Sequence, residues 1–540
     1  MAEVRVGHGG DLALAALARF GVQELFTLIG AHVWPFYDAA VKGGWRILDT
    51  RHEQTATFAA EGYAKLTRRP GVAVLTAGPG VTNGISAVSG AWINGSPMVV
   101  LGGRAQQATW GTGALQEFDH LPLLSSITKD ARTVFALEDI PDAMSRAMAL
   151  AATPHRGPVF LDIPLDVLFS LGEAEIPDHP AALVLEADPD DLHRAAELLA
   201  DAERPAIVVG TDVYWSGAWT TLREMVEALR LPTFFNGLGR GCLPADHELA
   251  FSRTRGLLKQ KADVVAVIGT PLDFRLSFGK FGAAQVVHFV DHPDQRATHV
   301  TPVCSPAGDL GRSLATIAAW EGDRRDHEFW ITELRDAESA SKSTDRELLA
   351  ATSLPVKPTR VYGELRKALD RDAVVVCDGG DFVSYAGKYI DSYEPGCWLD
   401  PGPYGCLGTA MGYAMAARAV HPDRQVVVLL GDGAAGFSLM DVDSLVRHNL
   451  PVVIVCGNNG ILGLEKHPMH RIYGYDVACD LQPATRYDEV VRALGGAGET
   501  VSDPESLRSA LKRGFAADAP YLINVLTDPE DAYPRSSMLL

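Results

Sequence analysis

The sequence predicts an α/β protein of three domains, in which helices flank sheets of parallel strands. Three observations support this prediction: the chain length, the short apolar runs that alternate with helical patterns, and two polar stretches that separate these runs into groups. The 540 residues are enough for about three domains of ordinary size. Hydrophobic residues make up 47% of the chain, which allows each domain a buried core.

The apolar runs are short and rich in β-branched residues. They lack the strict alternation of a strand with one wet face, so we expect strands that are buried on both faces, as in parallel sheets. Helical patterns between them supply the crossover connections that parallel strands require. The runs are VAVLTAG (72–78), PMVVLGG (97–103), AIVVG (206–210), VVAVIG (264–269), VVHFVD (286–291), AVVVCD (373–378), VVVLLGD (426–432) and VVIVCGN (452–458).

Two polar stretches, 177–191 and 339–359, are interpreted as linkers. The first is rich in Pro and Asp, and the second combines Ser and charged residues with a Pro-containing end. They divide the chain into predicted domains at 1–180, 190–340 and 355–540.

Charge and cysteine content exclude several function classes. A net charge of −20 argues against a nucleic-acid binder and against an anionic membrane surface. The seven cysteines are odd in number and form no CxxC, which fits neither a disulfide framework nor a zinc site. The start of the chain has the pattern of an amphipathic helix, and no apolar stretch of about 18 residues occurs. We therefore expect a cytoplasmic protein without nucleic-acid or membrane partners.

The strongest local pattern spans 426–460, where one buried strand ends at Asp432 and the next ends at Asn458 and Asn459. The carboxyl ends of neighbouring parallel strands meet at one edge of a sheet, so we expect these side chains to lie close together. Carboxylate and amide oxygens suit a hard cation. Small residues around Asp432 would let backbone N–H groups at a helix start approach a diphosphate. These small residues are Gly431, Gly433, Ala434 and Ala435.

A second group of signals lies at 47–88, within the first predicted domain. Glu53 begins a predicted helix, and the glycines of Gly78-Pro79-Gly80 allow a tight turn between a strand and the next helix. Taken alone, Glu53 is better interpreted as a solvated acid whose negative charge interacts favourably with the helix dipole.

Together these motifs resemble a known family. Gly-Asp-Gly followed by a double Asn is similar to the thiamine-diphosphate signature, and RHEQ followed by TAGPGVTN resembles the pyrimidine-binding domain of the acetolactate synthase superfamily. The resemblance covers nearly the whole chain and implies pyrimidine, middle and diphosphate domains in that order. It also implies thiamine diphosphate and Mg²⁺ as cofactors, and a homo-oligomer that is at least a dimer and typically a tetramer.

The resemblance assigns roles to individual residues. Asp432 and Asn459 would bind the metal through their side chains, and Ile461 through its backbone carbonyl. Glu53 of one subunit would hydrogen-bond the aminopyrimidine ring of the cofactor bound at Asp432 of the other. The remaining expected cofactor contacts are Gly80, Asn83, Leu407, Gly431, Gly433, Ala434 and Ala435. Leu407 stands where acetolactate synthases carry Met, and it is also explained as ordinary core.

The middle domain bears on the reaction. Acetolactate synthases carry a Gly-Met-His-Gly stretch near residue 252 that touches flavin, whereas this chain has Ser252-Arg253-Thr254-Arg255. The replacement is similar to 2-hydroxyacyl-CoA lyases and oxalyl-CoA decarboxylases, in which this site holds the ADP part of coenzyme A. Guanidinium groups suit phosphate, although two solvated helix arginines explain the pattern equally well. The expected ADP or coenzyme A contacts are Arg253, Arg255, Asp291 and Arg535, the last in a C-terminal lid.

Two more catalytic residues are expected near the cofactor. Gln116, in GTGALQEFDH (111–120), resembles a substrate-loop residue that faces the cofactor from the neighbouring subunit. Glu499 follows a glycine-rich turn that could bring it to the site, although Ala497 stands where related lyases often have His.

The leading hypothesis is a reversible lyase that cleaves a 2-hydroxyacyl-CoA to formyl-CoA and a ketone or aldehyde. The closest resemblance is to the actinobacterial 2-hydroxyisobutyryl-CoA lyase type. The alternative is an acetolactate synthase-like carboligase that acts on pyruvate.

Overall fold

The computed structural model describes residues 3–178 and 184–534. Within these ranges the chain forms three parallel sheets with helices on their faces, which confirms the predicted α/β architecture. We call the parts that carry these sheets the N-terminal unit (3–178), the middle unit (184–349) and the C-terminal unit (356–534). No described helix combines the length and the apolar character that are needed to cross a membrane.

The N-terminal unit is built on a six-stranded parallel sheet. The first and last strands of the unit form a separate antiparallel pair outside this sheet. Its strands are β1 (Glu3–His8), β2 (Glu24–Leu28), β3 (Arg46–Asp49), β4 (Gly71–Leu75), β5 (Met98–Arg104), β6 (Ala131–Thr133), β7 (Pro158–Pro164) and β8 (Leu171–Ile176). Its helices are α1 (Gly9–Ala18), α2 (Trp34–Gly43), α3 (Glu53–Thr67), α4 (Pro79–Asn94), α5 (Leu121–Leu124), α6 (Ile140–Ala152) and α7 (Leu165–Phe169). The sheet order is β3-β2-β4-β5-β7-β6, and β4, β5 and β7 are buried along their whole length.

The middle unit has a four-stranded parallel sheet. Its strands are β9 (Pro205–Val209), β10 (Thr233–Phe235), β11 (Val264–Ile268) and β12 (Gln285–Phe289), in the order β10-β9-β11-β12. Its helices are α8 (Pro189–Asp201), α9 (Thr211–Trp215), α10 (Trp219–Leu229), α11 (Leu258–Lys261), α12 (Leu310–Ala318) and α13 (Glu328–Leu349).

Helix α13 corrects the interpretation of 339–359 as a linker, because its 22 residues continue to Leu349. Apolar side chains anchor its first half in the core, where Glu338 is also buried, but the one buried side chain among its last 11 residues, the second half, is Asp345. The apolar pattern that would have indicated a packed helix is therefore missing from that half.

The C-terminal unit holds a second six-stranded parallel sheet, in the order β14-β13-β15-β16-β18-β17. Its strands are β13 (Val374–Asp378), β14 (Trp398–Leu399), β15 (Val426–Gly431), β16 (Val453–Asn458), β17 (Ala497–Val501) and β18 (Tyr521–Leu526). Its helices are α14 (Pro358–Ala368), α15 (Asp381–Tyr389), α16 (Thr409–Val420), α17 (Asp432–Ser438), α18 (Val442–Arg447), α19 (Gly463–Tyr473), α20 (Tyr487–Ala493) and α21 (Leu507–Phe515).

Close packing of α3 on α16 joins the N-terminal and C-terminal units. A side chain at Gly412 would bring its Cβ within 2.7 Å of the Thr55 carbonyl oxygen, so the helices approach each other with little room between them. Buried Lys65 pairs with Glu61 at 3.1 Å and donates to the Tyr413 hydroxyl at 2.8 Å. This contact fixes the helix that begins with Glu53 against the C-terminal unit.

Candidate functional site

Asp432 lies at the carboxyl edge of the C-terminal sheet, directly after β15. Strands β15 and β16 are neighbours with Gly431 opposite Gly457, so the loop that follows β16 lies beside Asp432. The Asp432 carboxylate accepts hydrogen bonds from the backbone N–H groups of Gly433 at 3.0 Å and Gly460 at 2.7 Å. Burial raises the pKa of Asp432 to about 6, and these N–H groups oppose the rise.

The oxygen atoms at this edge fit a hard divalent cation. Asn459 and Ile461 belong to the same loop as Gly460, and both lie within two residues of the N–H that binds Asp432. One carboxylate, one carboxamide and one backbone carbonyl form the kind of donor set that Mg²⁺ takes alongside phosphate oxygens. Leu462 covers Gly433 so closely that a Cβ there would lie 2.5 Å from its Cδ2 atom, which explains the glycine. Ala434 and Ala435 complete the buried first turn of α17.

Glu53 and Asn83 are brought together in the N-terminal unit. Glu53 is the first residue of α3 and is buried, and its Oε2 accepts a hydrogen bond of 3.0 Å from Asn83 Nδ2. Asn83 lies early in α4, one turn beyond buried Gly80, whose position leaves no room for a Cβ beside Thr76. A buried carboxylate with one amide partner keeps acceptor capacity for another ligand.

Gln116 lies against the turn that begins α4. A Cβ at Gly78 would lie 3.0 Å from the Gln116 carbonyl oxygen and 3.1 Å from its Cβ, and Gln116 has a φ of 56°. The loop around it is tied by Glu117, whose carboxylate accepts from the N–H groups of Gly111 and Ala114. The structure thus places Gln116 near the Gly78–Asn83 segment.

Leu407 lies at the junction between the N-terminal unit and the C-terminal unit. Its side chain fills the space above Gly379, and its carbonyl accepts a hydrogen bond of 3.0 Å from Gln54, the residue after Glu53. The buried carboxylate of Asp378 accepts from the N–H groups of Gly408 at 3.1 Å and Ala410 at 3.0 Å. Burial raises the pKa of Asp378 to about 7 against the effect of these N–H groups.

A cavity of about 850 Å³ separates the middle unit from the C-terminal unit. Arg253 and Arg255, the expected ADP or coenzyme A contacts, both line it, but they differ in their partners. Arg253 donates from Nε to Asp345 at 3.2 Å, whereas no carboxylate among the described residues pairs with Arg255 or with Lys259, which lies one turn further. Burial and nearby Arg275 lower the pKa of Arg255.

Tyr533 connects the wall of the cavity with the residues beside the loop of Asn459. Tyr533 lines the cavity and donates its backbone N–H to Asp381 at 2.9 Å. A Cβ at Gly463 would lie 3.3 Å from the Asp381 Cβ and 3.8 Å from Asn459 Nδ2. Asp381 therefore lies between the cavity wall and the loop that carries Asn459.

Two predicted site residues are not brought to these groups. Asp291 does not line the cavity, and its carboxylate pairs with His155 and Arg156 of the N-terminal unit, at 3.1 Å and 3.8 Å. Glu499 lies on the edge strand β17, where it pairs with Arg513 at 2.6 Å and accepts from the Tyr521 hydroxyl at 2.7 Å. These positions do not support a ribose contact for Asp291 or a catalytic role for Glu499. Arg535 lies outside the described residues.

Comparisons with protein families agree with the three units. The model of the N-terminal TPP binding domain of thiamine pyrophosphate enzymes matches residues 7–123, the central-domain model matches 192–317, and the C-terminal TPP binding domain model matches 378–525. The chain belongs to the thiamine pyrophosphate enzyme family. The family prediction is thereby confirmed, and thiamine pyrophosphate dependence follows.

Similar proteins come from two branches of the thiamine pyrophosphate enzymes. The chain is 50% identical over 539 residues to the acetolactate synthase large subunit IlvG of Mycobacterium tuberculosis, with 98% of each chain covered. It is 33% identical over 548 residues to 2-hydroxyacyl-CoA lyase 2 of Homo sapiens, with 92% of this chain and 85% of the human one covered. It is 32% identical over 549 residues to a 2-hydroxyacyl-CoA lyase of Arabidopsis thaliana, with 96% of each covered.

Two acids that shape the cavity of this thiamine pyrophosphate enzyme were missed by sequence reasoning. Glu338 accepts from the backbone N–H groups of Ser252 and Arg253, and Asp345 accepts from Arg253 and from Lys388 at 2.7 Å. The two acids stand seven residues apart, which places them on one face of α13. That spacing was the available signal.

Proposed function

We propose that the chain is a thiamine-diphosphate-dependent lyase, which reversibly cleaves a 2-hydroxyacyl-CoA to formyl-CoA and a ketone or an aldehyde. The observation that carries this proposal is the cavity beside the site. Its size suits a large ligand, and Arg255 and Lys259, which line it and have no carboxylate partner among the described residues, suit phosphate groups. Tyr533 lines the cavity and bonds to Asp381, which lies beside the loop of Asn459. The cavity wall thus adjoins the place where the acyl end of coenzyme A would have to react.

The residues at the sheet edge are assigned to the cofactor. When bound, thiamine diphosphate supplies the electron sink that cleavage of a carbon–carbon bond beside a thioester carbonyl needs. Asp432, Asn459 and the Ile461 carbonyl would hold Mg²⁺ and, through it, the diphosphate. Glu53 would hold and move a proton at the aminopyrimidine, with Asn83 keeping its carboxylate in place.

In the overall cleavage, one proton leaves the 2-hydroxyl group and one proton is added to the thioester carbon, so the reaction balances. The bond between C2 and the thioester carbon breaks, and the 2-hydroxyl group loses its proton to become the carbonyl of the released ketone or aldehyde. The thioester carbon gains one proton and leaves as formyl-CoA. We assign Gln116 a place beside the reacting carbon, and Leu407 to the apolar support of the cofactor. The branched 2-hydroxyisobutyryl group, which gives acetone, is the acyl group that we test first.

We further propose that the active enzyme is a homo-oligomer, at least a dimer. Phe437 in α17 and Met440 just after it are 59% and 56% exposed, and Leu115, next to Gln116, is 76% exposed. Large apolar side chains around both halves of a site are usually covered by protein. A second subunit that brings its Gln116 loop to Asp432 would cover them, and the family resemblance favours four subunits.

A carboligase acting on pyruvate is the second candidate. It is supported by the 50% identity to proteins named acetolactate synthase, which exceeds the identity to the lyases. The cavity is equally able to hold the diphosphate of a flavin, so product analysis has to decide between the two.

Incubation with 2-hydroxyisobutyryl-CoA is expected to yield formyl-CoA and acetone, because the cavity suits the coenzyme A part of this substrate. The protein is loaded with thiamine diphosphate and Mg²⁺, and products are followed by mass spectrometry. A parallel incubation with pyruvate is expected to give no acetolactate. Acetolactate without formyl-CoA would move the chain to the carboligase branch and refute the lyase proposal.

Replacement of Arg255 by Ala is expected to raise KM for the acyl-CoA by about 10- to 100-fold, with little change in kcat, since one charge-assisted hydrogen bond to phosphate is lost. Initial rates over a range of substrate concentrations measure this split. Arg223→Ala, which removes an exposed arginine of α10 that pairs with Glu227, serves as the matched control. An unchanged KM in Arg255→Ala would contradict the cavity assignment.

A further inference from the structure

A buried Asp–His pair lies behind the turn that begins α4. His120 and Asp162 are 1% and 0% exposed, and their side chains meet at 2.9 Å between His120 Nδ1 and Asp162 Oδ2. The other ring nitrogen, Nε2, accepts the backbone N–H of Gly78 at 3.0 Å. One imidazole thus links the end of β7 to the turn between β4 and α4.

These contacts determine the protonation of the imidazole. Nε2 accepts a hydrogen bond from an N–H donor, so it carries no proton, and the proton of the neutral ring must sit on Nδ1 and point to Asp162. The Arg104 guanidinium donates to the same Asp162 oxygen at 3.1 Å, so one carboxylate holds both side chains. Arg104 also packs at 3.8 Å over the ring of Trp110, which directly precedes the loop that carries Gln116 (111–120).

We propose that His120 is a positioning residue, held by Asp162, that fixes the Gly78 turn relative to the Gln116 loop. Gly78 touches Gln116 directly, and His120 ends the same loop. The turn also leads into α4, whose Asn83 holds the carboxylate of Glu53. One hydrogen bond to a backbone N–H therefore sets the place of two groups that we assign to the reaction, and this inference rests on those assignments.

The alternative is a structural role in which His120 only fills the core beside Phe160, with ring centroids 5.9 Å apart. The two roles differ in which ring nitrogen matters. A core-filling ring would tolerate loss of either hydrogen bond equally. A positioning ring depends on Nε2, because only Nε2 reaches the turn that carries the reacting groups.

Two amide variants of His120 test the roles of its two ring nitrogens separately. In His120→Gln the carboxamide oxygen reaches the place of Nε2 and can accept the Gly78 N–H. In His120→Asn the shorter carboxamide reaches only the place of Nδ1, so the bond to Asp162 is kept and the Gly78 N–H is left unpaired. Both variants are made in the full chain and loaded with thiamine diphosphate and Mg²⁺.

The readout is the exchange rate of the cofactor's C2 proton with deuterium, measured by NMR after acid quench. We expect His120→Asn to slow this exchange at least tenfold at full cofactor saturation, and His120→Gln to stay within about threefold of wild type. Glu53→Gln calibrates the assay. Wild-type exchange in both variants, or equal slowing in both, would overturn the proposal.

Backbone hydrogen exchange of the peptide that contains Gly78 gives a second readout by mass spectrometry. Faster exchange there is expected in His120→Asn alone, and equal protection in both variants would overturn the proposal. Neither measurement uses an acyl-CoA substrate. A carboligase reaction would therefore refute the lyase proposal and leave the role of His120 standing, whereas formyl-CoA production with normal C2 exchange in His120→Asn would do the reverse.

Discussion

Replacement of Glu53 by Gln is expected to lower kcat of the loaded enzyme by about 10²- to 10⁴-fold, the usual contribution of a positioned acid or base. The cofactor is expected to bind with nearly unchanged affinity. A glutamine at this buried position keeps the size of the side chain and an oxygen that can accept from Asn83 Nδ2, at 3.0 Å in the wild type. What it loses is the ability to hold and release a proton.

Steady-state rates with the cofactor in excess, together with a titration of the apoprotein with thiamine diphosphate, separate the two effects. Glu175→Gln, which makes the same chemical change at an exposed position of β8, is the matched control and should behave as wild type. Wild-type turnover in Glu53→Gln would refute the proton-transfer role of Glu53.

Replacement of Asp432 by Asn is expected to weaken Mg²⁺-dependent binding of thiamine diphosphate by about 100-fold or more. The loss of an outer hydrogen-bond partner of a metal ligand already costs 10- to 100-fold. The substitution removes the negative charge of the donor set at the β15–β16 edge and keeps the size of the side chain. Its one remaining oxygen can still accept from the N–H of Gly460, whereas the N–H of Gly433 loses its acceptor. The fold should therefore survive, and the loss should appear in cofactor affinity.

Quenching of tryptophan fluorescence, titrated with thiamine diphosphate at several fixed Mg²⁺ concentrations, measures this affinity. Asp370→Asn, at an exposed position just after α14, is the control for the loss of one carboxylate in the same unit. If Asp432→Asn binds the cofactor as tightly as wild type and with the same dependence on Mg²⁺, the metal assignment is wrong.

Features that local sequence determines were predicted well. A buried β-branched run followed by Gly-Asp-Gly specifies a strand, its end and the start of a helix, and the structure has β15 ending at Gly431 and α17 beginning at Asp432. Glu53 was expected to begin a helix, and it begins α3. The parallel sheets followed from strands that lack a polar face, since such strands need helices on both sides.

Features that depend on long-range packing were not predictable in this way. The position of Glu499 depends on the order of strands in the sheet, which puts β17 at the edge, where its carboxylate meets Arg513. Asp291 comes two residues after the end of β12, close to the expected place, but its carboxylate is bound by His155, 136 residues earlier in the chain. A single sequence carries no signal for which distant side chain arrives at a strand end.

The two arginines of the cavity, separated by one residue, differ in what their mutation would affect. Arg253 is tied through Asp345 to Lys388 and so helps to hold the middle and C-terminal units together, whereas Arg255 faces the cavity without such a tie. An engineer who wants a different substrate should therefore randomise 255 and 259 and leave 253 untouched. A library that varied all three would lose most of its members to misassembly of the two units before any new specificity could be selected.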